Sequence, residues 1–206
     1  MATRFVYFDL GNVLLNFDHR RGARQMADVA GVNENQVWEV VFASDFQARF
    51  EAGAVSGDEF YDEFCRTTKT TPDRDKLMFA AGAIFELNTA IVPVVAQLQS
   101  AGYRTGVLSN TCEWHWRYCI DGRYAMLPGA FEQLVLSYDA RSMKPDAEIY
   151  RVAIEAAGVA PHEVFFVDDR VDNVAGAVAA GIDAVLFTSP GQCAAELKRR
   201  GFEFNY

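Results

Sequence analysis

Four short groups of polar residues each lie just after or close behind an apolar stretch of the 206-residue chain. In chain order they are Asp9-Leu10-Gly11-Asn12-Val13, Ser109-Asn110-Thr111, Lys144-Pro145, and Asp168-Asp169 with Asn173. Because parallel strands end at the same edge of a sheet, where ligands bind, we expect these groups to meet at one rim. Acids, a lysine, a hydroxyl and amides would then collect at a single site.

The chemistry of this set favours phosphoryl transfer. Three carboxylates at one point repel each other unless a cation is present, and Mg²⁺ prefers such hard oxygen ligands together with substrate phosphate. Lys144 adds a charge that can hold a phosphoryl oxygen and lower the pKa of a nearby carboxyl. Ser109 and Asn110 supply neutral donors. A carboxylate nucleophile, Mg²⁺ and a lysine together fit phosphoryl transfer through an aspartyl-phosphate.

Each group alone has an ordinary structural explanation. Asp9 could be a turn residue after a strand, and Ser109-Asn110 is a common turn pair. Asp168-Asp169 is harder to explain in this way, because adjacent acids at a strand end serve no packing purpose. The four groups in this order are much more specific than any one of them.

The elements that must position these groups are predicted from apolar runs and glycines. Five apolar runs predict buried strands: Phe5–Phe8, Thr105–Leu108, Leu134–Leu136, Val164–Val167 and Ala184–Phe187. Helix-like stretches end at Gly102, Gly158 and Gly181, and a strand follows each glycine, which is the rhythm of βα units. We therefore expect an α/β fold with a doubly wound parallel sheet.

One segment breaks this rhythm. From about Asn16 to Glu86 no run predicts a strand, whereas helical periodicity occurs at Arg21–Ala30, Glu34–Ala43, Gly57–Thr67 and Arg74–Glu86. A crossover between parallel strands needs only one helix. We therefore expect residues 16–86 to form a helical cap, inserted after the first strand into a core of residues 1–15 and 87–206.

Composition limits the partners and the compartment. The net charge of −9 and a pI near 4.8 argue against nucleic-acid binding. No apolar run approaches the roughly 18 residues of a membrane span, and the first residues carry no signal-peptide pattern. The scattered cysteines fit no metal-binding spacing and suit reduced thiols. We expect a cytoplasmic protein that binds a small phosphorylated metabolite, as a monomer or weak homodimer.

With these four motifs in order, the whole chain resembles the haloacid dehalogenase superfamily. The resemblance implies a Rossmann-like core, a C1 cap after the first motif, and hydrolysis of a phosphomonoester with Mg²⁺. It implies the following roles: Asp9 as nucleophile; Asp9, Gly11 (through its carbonyl), Asp168, Asp169 and Asn173 at the metal; Ser109 and Asn110 on phosphate; and Lys144 linking Asp9 to the phosphoryl group.

The Asp-Leu-Gly-Asn-Val motif also resembles a bacterial subgroup that includes α-glucose-1-phosphate phosphatases. The similarity continues at Phe50-Glu51-Ala52-Gly53 and Ser56-Gly57-Asp58-Glu59. It implies a sugar phosphate such as a hexose 1-phosphate as the substrate, with Glu51 on a cap loop that faces the site. Trp114, His115 and Trp116 could line the cleft, but a packed loop is the more common explanation.

Gly11 departs from the superfamily pattern, in which most phosphatases carry a second aspartate at this position to protonate the leaving group. General acid–base catalysis is typically worth about 10²–10⁴-fold. The substrate could have a good leaving group such as an anomeric oxygen, Glu51 or Asp18 could supply the proton, or turnover could be slow.

Two other functions remain open at this stage. A 2-haloacid dehalogenase also lacks the second aspartate, but it needs no metal, so Asp168-Asp169 argues against it. A regulatory binding protein on a decayed fold would not need to keep Asp9, Lys144 and the paired acids.

Overall fold

The apolar runs form the central sheet of the computed structural model, which describes residues 3–205. The strands are β1 (Phe5–Phe8), β2 (Leu15–Phe17), β3 (Phe85–Leu87), β4 (Arg104–Ser109), β5 (Gln133–Leu136), β6 (Val164–Asp168) and β7 (Asp183–Leu186). Five of them pair in parallel in the order β5-β4-β1-β6-β7. The five predicted strands are confirmed, and none of their ends differs by more than one residue. The α/β class with a parallel sheet is confirmed as well.

The continuous apolar run of β1 follows from its place at the centre of the sheet. Phe5 and Tyr7 face one apolar layer, and Val6 and Phe8 face the other. All four side chains are fully buried. A strand covered on both faces has no solvent side, so every position is apolar. The site at the end of β1 therefore rests on a rigid strand.

Helices cover both faces of this sheet and form the insertion. They are α1 (His19–Ala30), α2 (Glu34–Val37), α3 (Phe46–Glu51), α4 (Gly57–Thr68), α5 (Arg74–Gly82), α6 (Val92–Ser100), α7 (Glu113–Cys119), α8 (Ser137–Ala140), α9 (Ala147–Ala157), α10 (Val171–Ala179) and α11 (Pro190–Arg199). Helices α6, α7 and α11 pack on the face of Val6, whereas α9 and α10 pack on the face of Tyr7. Helix α9 ends at Gly158 in the left-handed conformation, with φ 65°, as the glycine signal predicts. The core is thus a three-layer α/β/α arrangement.

The insertion between β2 and β3 is helical and has its own apolar cluster. Helices α1 and α4 match the predicted Arg21–Ala30 and Gly57–Thr67 closely, whereas α3 was not predicted. The predicted helix Glu34–Ala43 is α2 followed by a π-helical turn at Trp38–Phe42. The cluster of α1–α5 extends to Trp114 at the start of α7, which joins the insertion to the core.

The prediction that no strand lies between Asn16 and Glu86 is wrong at both ends of this segment. Strands β2 and β3 pair antiparallel, with Leu15 opposite Leu87 and Phe17 opposite Phe85. Strands of three residues are too short to show a periodic pattern, and two of the three residues of β2 are exposed. Because both expected domain boundaries fall within this β2–β3 ribbon, we propose that it carries the two connections of a cap at residues 16–86.

Two expectations from composition can be compared with the described residues. All four cysteines are free thiols, and three of them, Cys112, Cys119 and Cys193, are buried. Within residues 3–205, no helix combines the length and the apolar character that crossing a membrane requires. Acid predominates among the charged residues, at 28 acidic against 19 basic side chains.

Candidate active site

A cleft of about 410 Å³ lies at the carboxyl ends of the central strands, beneath the insertion. It brings together eight of the nine predicted site residues: Asp9, Gly11, Glu51, Ser109, Asn110, Lys144, Asp169 and Asn173. The ninth, Asp168, does not line the cleft because it is completely buried at the end of β6. The predicted meeting of the four motifs at one sheet edge is therefore observed.

Lys144 holds two of the carboxylates together. Its Nζ lies 2.8 Å from Oδ1 of Asp9 and 2.6 Å from Oδ2 of Asp168, and it also donates to the carbonyl of Leu108 at 2.9 Å. An ammonium has three N–H donors, so all three are used. The side chains of Lys144 and Asp168 are 1% and 0% exposed. The ammonium is thus fixed at one point beside Asp9.

Burial and charge act in opposite directions on these groups. Burial raises the pKa of Asp9, Lys144 lowers it, and Asp168 raises it again, with a result of about 7. Burial alone would lower the pKa of Lys144, but the Asp9 and Asp168 carboxylates outweigh it and raise the pKa. Lys144 therefore stays charged, whereas the charged form of Asp9 needs a further cation near it.

The donor set fits a divalent cation with oxygen ligands. Carboxylate oxygens of Asp9, Asp168 and Asp169 all lie within 4.8 Å of one another. Three ionised carboxylates and one ammonium leave two excess negative charges, which a divalent cation would balance. The buried Oδ1 of Asn173 has no hydrogen-bond partner among the described residues. A hard cation such as Mg²⁺ suits these oxygens.

Two asparagines orient the acids. Nδ2 of Asn12 donates to Oδ2 of Asp169 at 2.8 Å. Nδ2 of Asn173 donates to both oxygens of Asp168, at 3.0 and 3.1 Å. Neutral amide donors fix carboxylates without cancelling their charge, so the acids keep their attraction for a cation. Asn12 lies inside the first motif, but the sequence analysis gave it no role.

The two predicted phosphate-binding residues differ in how their side chains are used. Nδ2 of Asn110 donates to the carbonyl of Lys144 at 2.9 Å, and its Oδ1 accepts from the Lys144 N–H at 2.8 Å. The amide of Asn110 therefore positions the loop that carries Lys144, and only one of its N–H donors remains. Ser109 is 1% exposed and places its hydroxyl 3.3 Å from the Asn110 carbonyl. Both residues line the cleft next to Asp9.

The position of the missing second acid is filled by an aromatic ring. A Cβ built on Gly11 would lie 2.8 Å from Cε1 of Phe17, closer than real Cβ contacts allow. Phe17 reaches this place because it is the last residue of β2, which pairs antiparallel with β3 and leads into the insertion. The chain therefore lacks an acid at residue 11 and also lacks room for one while Phe17 keeps this position.

Glu51 enters the cleft from the insertion and is tied to the core. Its carbonyl accepts from Oγ of Ser137 at 2.6 Å, and the same Oγ accepts from the N–H of Thr111 at 2.9 Å. Its Oε1 accepts from Nε2 of Gln47 at 2.9 Å. Burial raises the pKa of Glu51, although the bond from Gln47 opposes this shift. The insertion therefore presents a partly buried carboxyl group to the cleft.

Aromatic side chains line the rest of the cleft: Phe17, His19 and Phe85, for which the sequence predicts no role, and His115. The rings of Phe17 and His19 are 4.9 Å apart, and those of Phe85 and His115 are 5.3 Å apart. They come from β2, α1, β3 and α7, so no local pattern could have grouped them. The sequence leaves His115 as either a cleft residue or a packed one. In the structure it lines the cleft and is also packed, with 4% exposure.

Asp18, one of the two residues expected to supply a proton, lies elsewhere. Its side chain caps α1 by accepting from the N–H of Arg20 at 2.8 Å, and it forms an ion pair with Arg24 at 3.7 Å. It is absent from the described lining of the cleft. These contacts show that Asp18 serves as the N-terminal cap of α1.

Known proteins resemble this chain in sequence and in fold. The model of the haloacid dehalogenase-like hydrolase family matches residues 3–181. Phosphatase MT3486 of Mycobacterium tuberculosis is 25% identical over 93% of this chain and 90% of its own length. (S)-2-haloacid dehalogenase 1 of a Pseudomonas species is 31% identical, but over only 46% of this chain and 40% of its own.

A solved structure extends the match over the whole fold. A HAD family enzyme of Bacteroides thetaiotaomicron, in a magnesium complex, is 25% identical, with a TM-score of 0.79. The alignment covers 97% of this chain and 100% of that chain. The family model covers the insertion and the sheet as far as β6, the structural match extends over 97% of the chain, and the chain belongs to the haloacid dehalogenase-like hydrolase family.

Proposed function

We propose that this hydrolase is a Mg²⁺-dependent phosphatase that cleaves a small phosphomonoester through an aspartyl-phosphate on Asp9. The observation that carries the proposal is the Asp9 carboxylate, held 2.8 Å from the buried Lys144 ammonium within a cluster of three acids. A nucleophilic carboxylate, a fixed cation and a site for a metal are the parts that such a transfer requires.

The two carboxylate oxygens of Asp9 differ in their hydrogen bonds. Oδ1 accepts from Lys144 Nζ and from the N–H of Leu10, at 2.8 and 2.7 Å. No group among residues 3–205 donates to Oδ2, so this oxygen is available to attack phosphorus. Ser109 is placed to hold a phosphoryl oxygen during the attack, and Lys144 adds its positive charge beside that position, because both line the cleft next to Asp9. Water then releases phosphate from Asp9.

The metal site would be formed by this chain's own oxygens. Asp9 and Asp169, with the Gly11 carbonyl, would hold Mg²⁺, and Asp168 and Asn173 would support them. When bound, Mg²⁺ would supply positive charge that screens the carboxylates from an anionic substrate. Asn12 keeps Asp169 oriented for this role.

We propose a sugar phosphate, such as a hexose 1-phosphate, as the substrate class. A volume of about 410 Å³ lies within the range of small-molecule sites. Glu51 can accept hydrogen bonds from sugar hydroxyls. The absence of an acid at Gly11 suits an anomeric leaving group, which needs less protonation than an alkoxide. The Asp-Leu-Gly-Asn-Val motif, with its resemblance to glucose-1-phosphate phosphatases, points the same way.

Dehalogenation is a second candidate, favoured by the local match to a 2-haloacid dehalogenase and by Gly11. The electrostatics of the cleft weigh against it. A 2-haloacid is an anion, and the excess negative charge of the acidic cluster would repel it without a divalent cation. Halide displacement from carbon needs no such cation, so the cluster would have no purpose.

The test is phosphate release from p-nitrophenyl phosphate and from glucose 1-phosphate, with Mg²⁺ or with EDTA. We expect activity with Mg²⁺ and none with EDTA. Asp9→Asn should lower kcat by a factor on the order of 10³ or more, with an unchanged circular dichroism spectrum. Asp62→Asn, on the exposed side of α4, is the matched control and should retain full activity.

Two results would overturn the proposal. Full activity of Asp9→Asn would show that another group attacks phosphorus. Chloride release from 2-chloropropionate in EDTA, without phosphate release from either ester, would establish the dehalogenase instead.

A further inference from the structure

The leaving group of the proposed reaction has a defined place in the cleft. Asp9, Ser109 and Lys144 mark the phosphoryl position at the ends of the strands. The cleft continues from there toward the insertion, where Phe17 and His19 form part of its wall. The group attached to the phosphate must therefore lie against the insertion side.

This side of the cleft must also supply the proton that the leaving oxygen takes. The phosphatase reaction proposed above is the premise of this step. Gly11 provides no acid, and the ring of Phe17 fills the space where one would stand. Any proton donor must therefore come from another residue of the cleft.

Three titratable groups of the cleft are unsuited to this task. His115 is 4% exposed, and burial, with His19 beside it, lowers its pKa to about 3, so it holds no proton at neutral pH. Asp172 and Arg170 form an exposed ion pair at 2.7 Å on the rim. In this pairing the guanidinium keeps the pKa of Asp172 below its usual range.

Glu51 and His19 remain, and they are held by different contacts. Glu51 is tied to Ser137, directly after the edge strand β5, and its Oε1 already accepts from Gln47. Burial raises the pKa of Glu51 more than this bond lowers it, so the position of Glu51, and not its affinity for a proton, separates it from Gly11. His19 instead adjoins Phe17, the residue that covers Gly11.

His19 is held in place while its nitrogens stay free. Its ring stacks on Phe42 of the π-helical turn at 4.9 Å and an angle of 26°, and it lies 4.9 Å from the ring of Phe17. The facing group from α7 is His115, with ring centres 6.4 Å apart. Among residues 3–205, no group hydrogen-bonds either nitrogen of His19. Ring contacts thus fix the imidazole without occupying its donors.

We infer that His19 is the acid–base residue of this enzyme, in the place of the aspartate that Gly11 omits. As the bond between phosphorus and the leaving oxygen breaks and the Asp9–phosphorus bond forms, the His19 imidazolium gives its proton to that oxygen, releasing an alcohol. Neutral His19 then takes a proton from the water that attacks phosphorus. The Asp9–phosphorus bond breaks, phosphate leaves, and the imidazolium is restored.

The electrostatic surroundings of His19 are compatible with this cycle. Burial lowers its pKa, and the neighbouring carboxylate of Asp18 opposes that shift. His115 faces it as a neutral ring. A bound phosphate ester brings negative charge to the cleft and favours the imidazolium, whereas its departure favours the neutral form. Proton gain and loss are therefore linked to the presence of substrate.

The experiment compares two substrates whose leaving groups differ in their need for a proton. p-Nitrophenyl phosphate releases a stable phenolate, whereas glycerol 1-phosphate releases an alkoxide. His19→Asn should lower kcat/KM for glycerol 1-phosphate by about 10²–10⁴-fold and leave p-nitrophenyl phosphate hydrolysis within about tenfold of wild type. The ratio of the two rates is measured on one preparation, so partial unfolding cannot imitate the effect.

Two further variants make the result specific. His162→Asn changes an exposed histidine at Pro161–Glu163, outside the cleft lining, and should leave the ratio unchanged. Equal losses on both substrates in His19→Asn would reduce His19 to a structural residue and overturn the inference. A selective loss in Glu51→Gln, with none in His19→Asn, would assign the proton to Glu51. Wild-type protein inert toward both esters with Mg²⁺ would instead overturn the proposed function itself.

Discussion

Gly53 controls how closely the loop after Glu51, the last residue of α3, approaches the core. A Cβ built on Gly53 would lie 2.1 Å from the carbonyl oxygen of Tyr138 and 2.9 Å from its carbon, both of which are main-chain atoms. The backbone of Gly53 also has a positive φ of 68°. Gly53→Ala should therefore push this loop away from the core and carry Glu51 with it.

The size of this effect follows from the distances. The oxygen must retreat from 2.1 Å to at least 3.0 Å, and main-chain atoms cannot rotate out of the way. We expect a left-handed alanine to cost about 1 kcal/mol and the overpacking a further 1–3 kcal/mol in free energy of unfolding. Displacement should also stretch the 2.6 Å bond from Ser137 to the Glu51 carbonyl, so KM for glucose 1-phosphate should rise.

Gly31 provides a matched control for the cost of placing alanine in a left-handed backbone conformation. It ends α1 with the same φ of 68°, but a Cβ there would have nothing within 4 Å. Gly31→Ala should therefore lose only about 1 kcal/mol and keep its kinetic constants. Urea unfolding and steady-state kinetics on both variants measure the difference. Equal stability and equal KM in the two variants would refute the view that Tyr138 limits the approach of the loop.

Two further expected outcomes concern the acidic cluster. Asn12→Ala should weaken Mg²⁺ affinity by about 10- to 100-fold, because Asp169 loses the donor that orients it, and a Mg²⁺ titration of activity measures this change. In EDTA, wild type should lose more stability than Asp9→Asn as pH rises from 4 to 7, because the pKa of Asp9 is about 7 in the fold against an ordinary value of 3.8. Urea unfolding at pH 5 and pH 8 tests this, and parallel pH profiles would contradict it.

The core could be predicted from sequence because each of its signals is local. β1 is buried on both faces, so all four of its residues are apolar and consecutive. Glycine marks the end of α9 because a left-handed residue is needed there. β2 carries no such signal, since it has three residues and its Phe17 is 37% exposed. Its partner β3 lies some 70 residues away in the chain, so the pairing depends on the whole insertion.

The candidate site could be predicted where strand ends determine position. Asp9 and Asp168 end or follow parallel strands that are neighbours in the sheet, so their approach follows from topology. The two hydrogen bonds between the Asn110 side-chain amide and the Lys144 main chain depend on loop geometry, which residue spacing in the sequence does not indicate. The ring of Phe17 over Gly11 likewise depends on the path of β2. The absence of an acid at residue 11 is thus evident from the sequence, whereas the presence of the Phe17 ring in its place is not.

The pairing of β2 with β3 has a consequence for how such a chain can change over time. Leu15 and Leu87 are register partners, so the insertion leaves the core and returns to it at adjacent points. The loop-closure cost of such a segment grows only slowly with its length, by about 0.6 kcal/mol for each doubling. The insertion can therefore lengthen or shorten at modest cost in stability, without any change to β1 or to the Asp9 that follows it.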